Sequence, residues 1–256
     1  MLLAVDVGNL DVAFGVFDGD ALSHSFHAES TRERTIDEWA LLCGDLATLA
    51  GVAPGTLDAA VVASVAPSVT PALLAGLTRW LGRAPTVIED ARALGLEVRT
   101  DDPAEVGADR LVVALAAHSI AKGGAIVVDF GTATVFDCVA PDGAYVGTVI
   151  APGVHPSADA LFSAASRLPR VDVVAPARAI GKNTRTALQS GLVLGFAGLV
   201  DEMVARLRAE LGFPCRVLAT GAFAEPIAPH ARSIDQVCPT LALEGLRIAW
   251  SRAQPR

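Results

Sequence analysis

Charge is scarce in this chain. Of 256 residues only 19% are Asp, Glu, Lys or Arg, and acidic side chains outnumber basic ones by 28 to 20, a net charge of −8. A protein that binds DNA or RNA neutralises phosphates with clustered Lys and Arg, so nucleic acid is excluded as the main partner. Free nucleotides are not excluded, because backbone amides and a metal ion can hold them. The four cysteines, Cys43, Cys138, Cys215 and Cys238, stand far apart and form no CxxC pair. That spacing excludes a zinc ribbon and suits buried, reduced thiols in a cytosolic protein. His24, His27, His118, His155 and His230 are scattered without metal-ligand spacing and read as structural or surface residues. No run of about 18 uncharged apolar residues is present, so no membrane partner is expected. The most apolar window, Leu188 to Val200, is broken by Gln189, Ser190 and three glycines and reads as a buried helix. The opening MLLAVDVGN lacks a basic region and reaches Asp6 early, so no secretory signal is expected and the location is read as cytoplasmic.

Apolar residues are plentiful, at 52%, enough for a substantial core. The length allows one large domain or two small ones. Two stretches echo each other: LLAVDVGNLDVAFGVFDGDAL near the start and AIVVDFGTATVFDCVAPDGAY in the middle. Each has a β-branched apolar run, an Asp-x-Gly, a second alternating run and an Asp-Gly turn, the pattern of a β-hairpin. Asp6 and Asp129 hold equivalent places. A third extended segment follows each hairpin, ALSHSFHAES and AYVGTVIAPG, and a later strand ends in small residues, AAVVASVAPS and CRVLATGAFAE. Helical spacing places Trp39, Leu42, Leu46 and Leu49 on one face of a helix over Thr35 to Ala50. Asn183-Thr184 can open a helix running to about Leu211, and Leu241 to Ser251 reads as a closing helix. Three strands, helix and strand, given twice, predict an α/β chain of two ribonuclease-H-like domains, with mixed sheets flanked by helices. The division is placed at 1–115 and 116–256, near a helix over Val106 to Lys122.

The motifs sit where chemistry needs them. A glycine one residue after an aspartate, at a hairpin turn, lets backbone N–H groups approach a phosphate. The aspartate then lies beside the phosphates, where it can order Mg²⁺ or its water shell. Two such loops would clamp a polyphosphate. In GADRLVVALAAH, residues 107–118, Asp109 and Arg110 adjoin at a helix start. They suit a dipole-facing carboxylate and its surface neighbour, or a general base beside a cation that holds an anionic substrate. GKNTRTALQSG, residues 181–191, suits simple capping or an anion site at a helix start. TGAFAE, residues 220–225, suits close approach to an adenosine or tight strand–helix packing.

Taken together these strings resemble type III pantothenate kinase, of the acetate and sugar kinase, Hsp70 and actin superfamily. The likeness rests on DVGN at 6–9, EVGADRLV at 105–112, VVDFGTAT at 127–134, IAPGV at 150–154, LPRV at 168–171, IGKNT at 180–184, QSG at 189–191, GLVDEMV at 198–204, LATG at 218–221 and LEGLR at 243–247. The resemblance implies an actin-like ATPase fold, and phosphorylation of pantothenate to 4'-phosphopantothenate by ATP with Mg²⁺, the first step towards coenzyme A. It also implies a homodimer and a monovalent cation, K⁺ or NH₄⁺. By match to the family pattern, Asp6, Val7, Gly8, Asn9, Leu10, Asp11, Val12, Ala13 and Thr132 would bind ATP. Gly107, Ala108, Asp109, Arg110 and Thr184 would bind pantothenate, with Asp109 as proton acceptor and Thr184 reaching substrate across the dimer. Asp129 would ligate the cation.

The chain departs from the family pattern at several positions. Leu10 replaces a phosphate-loop threonine, and Val113 stands where asparagine is common. Thr148 and Ala222 each replace the second glycine of a Gly-Gly pair, and Thr100 lies near a substrate-contacting tyrosine position. A lost hydrogen bond to a charged group costs about 1.5–3 kcal/mol, or ten- to a hundredfold. Two further readings are therefore open: a non-catalytic or regulatory homologue with an altered phosphate loop, and a kinase of another small hydroxy acid.

Overall fold

The computed structural model of the chain describes residues 1–90, 94–165 and 168–253, so positions 91–93, 166–167 and 254–256 of the two expected halves lie outside it. It divides into two compact units, Met1–Ala116 with Leu241–Arg256, and Ala117–Thr240.

In the first unit the strands are β1 (Leu2–Val7), β2 (Asp11–Asp18), β3 (Ala21–Glu29), β4 (Ala59–Ser64) and β5 (Thr86–Ile88). They lie in the order β3-β2-β1-β4-β5, with the hairpins antiparallel and β4 and β5 parallel to β1. In the second unit the strands are β6 (Gly124–Phe130), β7 (Ala133–Val139), β8 (Tyr145–Pro152), β9 (Cys215–Thr220) and β10 (Gln236–Val237). Their order, β10-β9-β6-β7-β8, is the same plan used a second time. The duplicated ribonuclease-H-like fold read from the paired hairpins is the fold observed. The fifth strand of each sheet was not expected: β5 has three residues and β10 two, too short for periodicity to show.

Helix α1 (Ile36–Leu49) opens on a capping box in which the Thr35 side chain accepts from the amide of Glu38 and the Glu38 carboxylate accepts from that of Thr35. It packs on α2 (Thr70–Leu81) at Gly76, where a Cβ would lie 2.6 Å from that of Trp39. The buried stripe of α1 is Trp39, Cys43 and Ala47, with Leu42 and Leu46 at its margin. Leu49, expected on that face, is instead 76% exposed. Four-residue spacing tracks the stripe better than the run of leucines does, because Leu49 lies two residues after Ala47, about 200° round a 3.6-residue helix from it.

Helix α3 (Ala108–Ala121) begins two residues later than expected, after a turn over Pro103–Glu105. Helix α4 (Val154–Ala164) follows β8. Helix α5 (Thr184–Leu211) is capped by Asn183 and is long and apolar enough to cross a membrane by length and composition, yet Leu192, Val193, Ala197, Val200 and Val204 pack into the second core. A short helix, α6 (Ala224–Ile227), follows β9.

Helix α7 (Leu241–Ala253) corrects the division at 115/116, which assigns it to the second half. It lies on the first sheet. Leu243 sits against Gly15, and the Arg247 guanidinium lies 5.9 Å from the Phe17 ring centroid and ion-pairs with Asp20. Gly245 lets α7 meet the backbone of α3 at Val112, a contact any side chain at 245 would block.

Candidate active site

The first loop is a tight turn between β1 and β2. The Gly8 amide donates to the Asp11 carbonyl at 2.9 Å, and the Ser30 amide donates to the Leu10 carbonyl at 2.9 Å. Asp6, next to the last residue of β1, lies opposite Ala13. The side chains of Val7 and Val12 are buried in the first core, so within this loop only their backbone can face a ligand. Leu10 is 57% exposed, an apolar side chain at the tip of a turn otherwise built of Gly8, Asn9 and Asp11. Asp11 is held by His27, whose Nδ1 lies 2.9 Å from its Oδ2. The carboxylate hydrogen bond is the largest influence on His27 and raises its pKa; burial works the other way, and the charges of Asp11 and Asp6 add to the rise.

The acidic residue of α3 stands close to this loop. The Val65 amide donates to the Val7 carbonyl at 3.0 Å, and a Cβ at Gly107 would lie 3.3 Å from the Val65 side chain. Val65, one residue past β4, thus links the end of β1 to the start of α3. Asp109 folds its carboxylate back over Gly107, and its Oδ1 is buried without a hydrogen-bond partner. Burial raises the Asp109 pKa above the usual carboxylate range, against the amide and charge of Arg110. Arg110 donates to the Glu105 carbonyl at 3.2 Å, and Ala108 is buried. Thr100 carries another buried hydroxyl without a partner, and Val113 is buried in α3.

In the second unit, Asp129, next to the last residue of β6, lies beside Thr220 of β9. The turn after it closes through the Gly131 amide and the Ala133 carbonyl at 3.0 Å, one residue tighter than the Gly8 turn. Gly221 has φ +87° and stands so close to Asp129 that a Cβ there would lie 2.5 Å from Oδ1. Gly153 is pressed against the carbonyls of Gly131 and Thr132. The IAPGV and LATG strings are thereby explained: each supplies a glycine that the Asp129 loop requires. Thr132 is exposed at the turn, and Thr148 and Ala222 are exposed as well.

Thr184 is the first residue of α5. Asn183 accepts from the Thr186 amide at 2.9 Å, and the Thr186 hydroxyl accepts from the Lys182 and Asn183 amides. Capping is therefore the work of Asn183, which leaves Thr184 exposed on a groove of about 560 Å³ lined by Ser157, Leu161, Leu168, Leu188 and Leu192. Among the described residues, no group of three or more His, Cys, Asp or Glu side chains is placed to hold a metal ion.

Sequence reasoning missed Val65 and His27. Val65 carries no motif and acts through its amide. In the sequence His27 is one of five scattered histidines, and its alternation with Phe26 and Ala28 on a strand paired to the loop strand is the signal that singles it out.

The family model described as type III pantothenate kinase matches residues 2–206. A type III pantothenate kinase of Moorella thermoacetica is 44% identical over 252 residues, covering 98% of this chain and 99% of its own. One from Desulfosudis oleivorans is 45% identical over 255 residues, covering 99% and 100%. Among solved structures, the activator of the 2-hydroxyisocaproyl-CoA dehydratase from Clostridium difficile with bound ADPNP superposes with a TM-score of 0.56 at 12% identity, over 98% of this chain and 95% of its own. The ROK hexokinase from Thermus thermophilus superposes with a TM-score of 0.53 at 16% identity, over 99% of both chains. At such identities these two speak to the fold alone.

Proposed function

The chain belongs to the type III pantothenate kinase family, and from that premise we propose how its residues divide the work of phosphorylating pantothenate to 4'-phosphopantothenate with ATP, the first step of coenzyme A biosynthesis. The observation that carries this reading is the Val65 link, which supports a phosphate loop and a buried carboxylate acting together within one unit. In this reading Asp109 accepts the proton of the pantothenate primary hydroxyl. Its buried Oδ1 has no protein partner, which suits a group waiting for a substrate O–H. Arg110, beside it, pairs with the pantothenate carboxylate, and Gly107 leaves the room that the Asp109 carboxylate occupies. Phosphoryl transfer passes through a loose transition state, so holding the hydroxyl in line matters more than the strength of the base.

With the Gly8 amide held by the Asp11 carbonyl, the turn offers the backbone amides of Asn9 and Leu10 to the phosphates, and Asp6 is the carboxylate that would order the water shell of Mg²⁺. Bound Mg²⁺ would neutralise charge on the transferred group. Thr132, exposed at the turn after Asp129, is the second unit's candidate contact for ATP. Asp129 takes K⁺ or NH₄⁺. Its carboxylate and the nearby carbonyls of Gly131 and Thr132 are oxygen ligands of the kind a large hard cation accepts, and at Gly153 and Gly221 a side chain would collide with them.

The homodimer forms through the outer side of α5 in this reading. Gly191, Gly195 and Gly198 leave that side flat, and the apolar groove beside Thr184 lies along it. Thr184 then reaches pantothenate held by the partner. Leu188→Arg should give a monomer by light scattering with the fold intact; a dimer that persists would exclude this face. A cytoplasmic setting is supported by four free cysteines, and the net charge of −8 argues against a nucleic-acid partner.

The test is substrate competition. Purified protein with Mg-ATP, K⁺ and an equimolar mixture of pantothenate and other small hydroxy acids should yield phosphopantothenate as the dominant product by mass spectrometry. A different phosphorylated acid in excess would transfer the reading to a kinase of that acid.

A further inference from the structure

The register of the first sheet sets Asp6, Ala13 and His27 in one row across β1, β2 and β3, since Asp6 pairs with Ala13 and Ala13 with His27. Paired residues of antiparallel strands share a face, as do residues two apart on one strand. Asp11 is therefore on the same face as His27, one diagonal away, and Glu29, opposite Asp11, joins them. The other face of these strands carries Val5, Val7, Val12 and Phe14 into the core. Ala13, between Asp6 and His27 in that row, is small and half-buried.

Three carboxylates on this face, Asp6, Asp11 and Glu29, would repel a polyphosphate. The nearby Arg34 is engaged elsewhere: it donates to the Glu29 carbonyl at 3.1 Å and its guanidinium lies 4.4 Å from the Trp39 ring centroid. His27 meets Asp11 directly through Nδ1, which leaves Nε2 on the far side of the ring, without a protein partner among the described residues. Its side chain is 60% exposed, so the ring is accessible. Hydrogen bonding to Asp11 favours the imidazolium, and only the imidazolium has an N–H at both corners.

We propose that His27 is a phosphate-binding residue of this kinase: with Nδ1 anchored on Asp11, its Nε2–H donates to the polyphosphate of ATP and supplies the contact that Leu10 cannot. The proposal rests on the reading of Asp6 to Ala13 as the ATP loop. It accounts for two features together, an apolar Leu10 at the tip of a phosphate turn and a carboxylate, Asp11, whose charge would otherwise oppose the nucleotide.

Calorimetric titration of the full chain with MgATP and with adenosine tests it. His27→Ala should bind MgATP about ten- to a hundredfold more weakly, the worth of a hydrogen bond to a charged group, with adenosine affinity and Tm unchanged. Leu10→Thr added to His27→Ala should restore most of the loss. Equal losses for MgATP and adenosine would mark a structural role and overturn the proposal. MgATP binding within twofold of wild type in His27→Ala, together with lost binding in Asp6→Asn, would overturn it while leaving the loop reading intact. Wild-type binding in both variants would remove the loop reading and the proposal together. NMR of the wild-type imidazole needs no variant: the His27 pKa should rise further on MgATP binding and not on adenosine binding, and an unmoved pKa would overturn the assignment.

Discussion

Gly107 and Asp109 are packed so closely that a Cβ added at 107 would lie 2.5 Å from Oδ1 of Asp109. The carboxylate has its position because residue 107 has no side chain. Gly107→Ala should therefore push Asp109 out of line. Displacement of a reacting group by about 1 Å can cost on the order of 10²-fold, so turnover should fall by about that factor, with MgATP affinity unchanged. Steady-state kinetics and calorimetry on one preparation check both halves. Turnover within threefold of wild type would show that the carboxylate is not held for chemistry.

The same carboxyl predicts a pH profile. Burial raises its pKa, so its proton is lost at higher pH than from an exposed aspartate, near 3.9. A base must be ionised to act. The acid limb of kcat/KM for pantothenate should thus lie above the ordinary carboxylate range, activity falling as pH drops through the raised pKa. The limb should vanish from the residual activity of Asp109→Asn. A limb at the same pH in that variant would assign it to another group.

The Gly221–Asp129 contact makes a prediction about salt. Gly221→Ala would combine an unfavourable φ of +87° with a Cβ against the carboxylate. Wild-type enzyme should be activated more by K⁺ than by Na⁺, and both Gly221→Ala and Asp129→Ala should abolish the difference. Equal rates in the two salts for wild type would remove the cation site.

Stability should follow the observed face of α1, not the leucine pattern. Trp39→Ala, at a position with no solvent exposure, should cost about 3–5 kcal/mol in chemical denaturation. Leu49→Ala, at a mostly exposed position, should stay within about 0.5 kcal/mol. The reverse order would place the core elsewhere.

These outcomes also mark how far the sequence could be read. The hairpins were legible because Asp-Gly turns and period-two alternation are local, and the repetition of the pattern gave the duplicated fold. Asn183 announced a helix start by its side chain. What stayed hidden depended on long-range packing. The three residues of β5 and two of β10 are strands only because β4 and β9 lie beside them. Helix α7 joins the first sheet through Leu243 and Arg247, contacts that no periodicity reveals. Asp109 of the first unit and Asp129 of the second could be named from motif strings, but the glycines that hold them, 107, 153 and 221, act through the absence of a Cβ, and Val65 acts through a main-chain amide. His27 emerged only from the register of β1, β2 and β3.

The central claim is that this chain transfers the γ-phosphoryl group of ATP to pantothenate with Asp109 as the proton acceptor. Single-turnover mixing of enzyme in excess over pantothenate, with saturating Mg-ATP and K⁺, tests it most directly when 4'-phosphopantothenate itself is quantified. Wild-type enzyme should convert the bound pantothenate completely, and Asp109→Asn, folded and still binding MgATP, should do so about 10²–10⁴-fold more slowly. No phosphopantothenate from the wild type, or equal rates from the two proteins, would contradict the account.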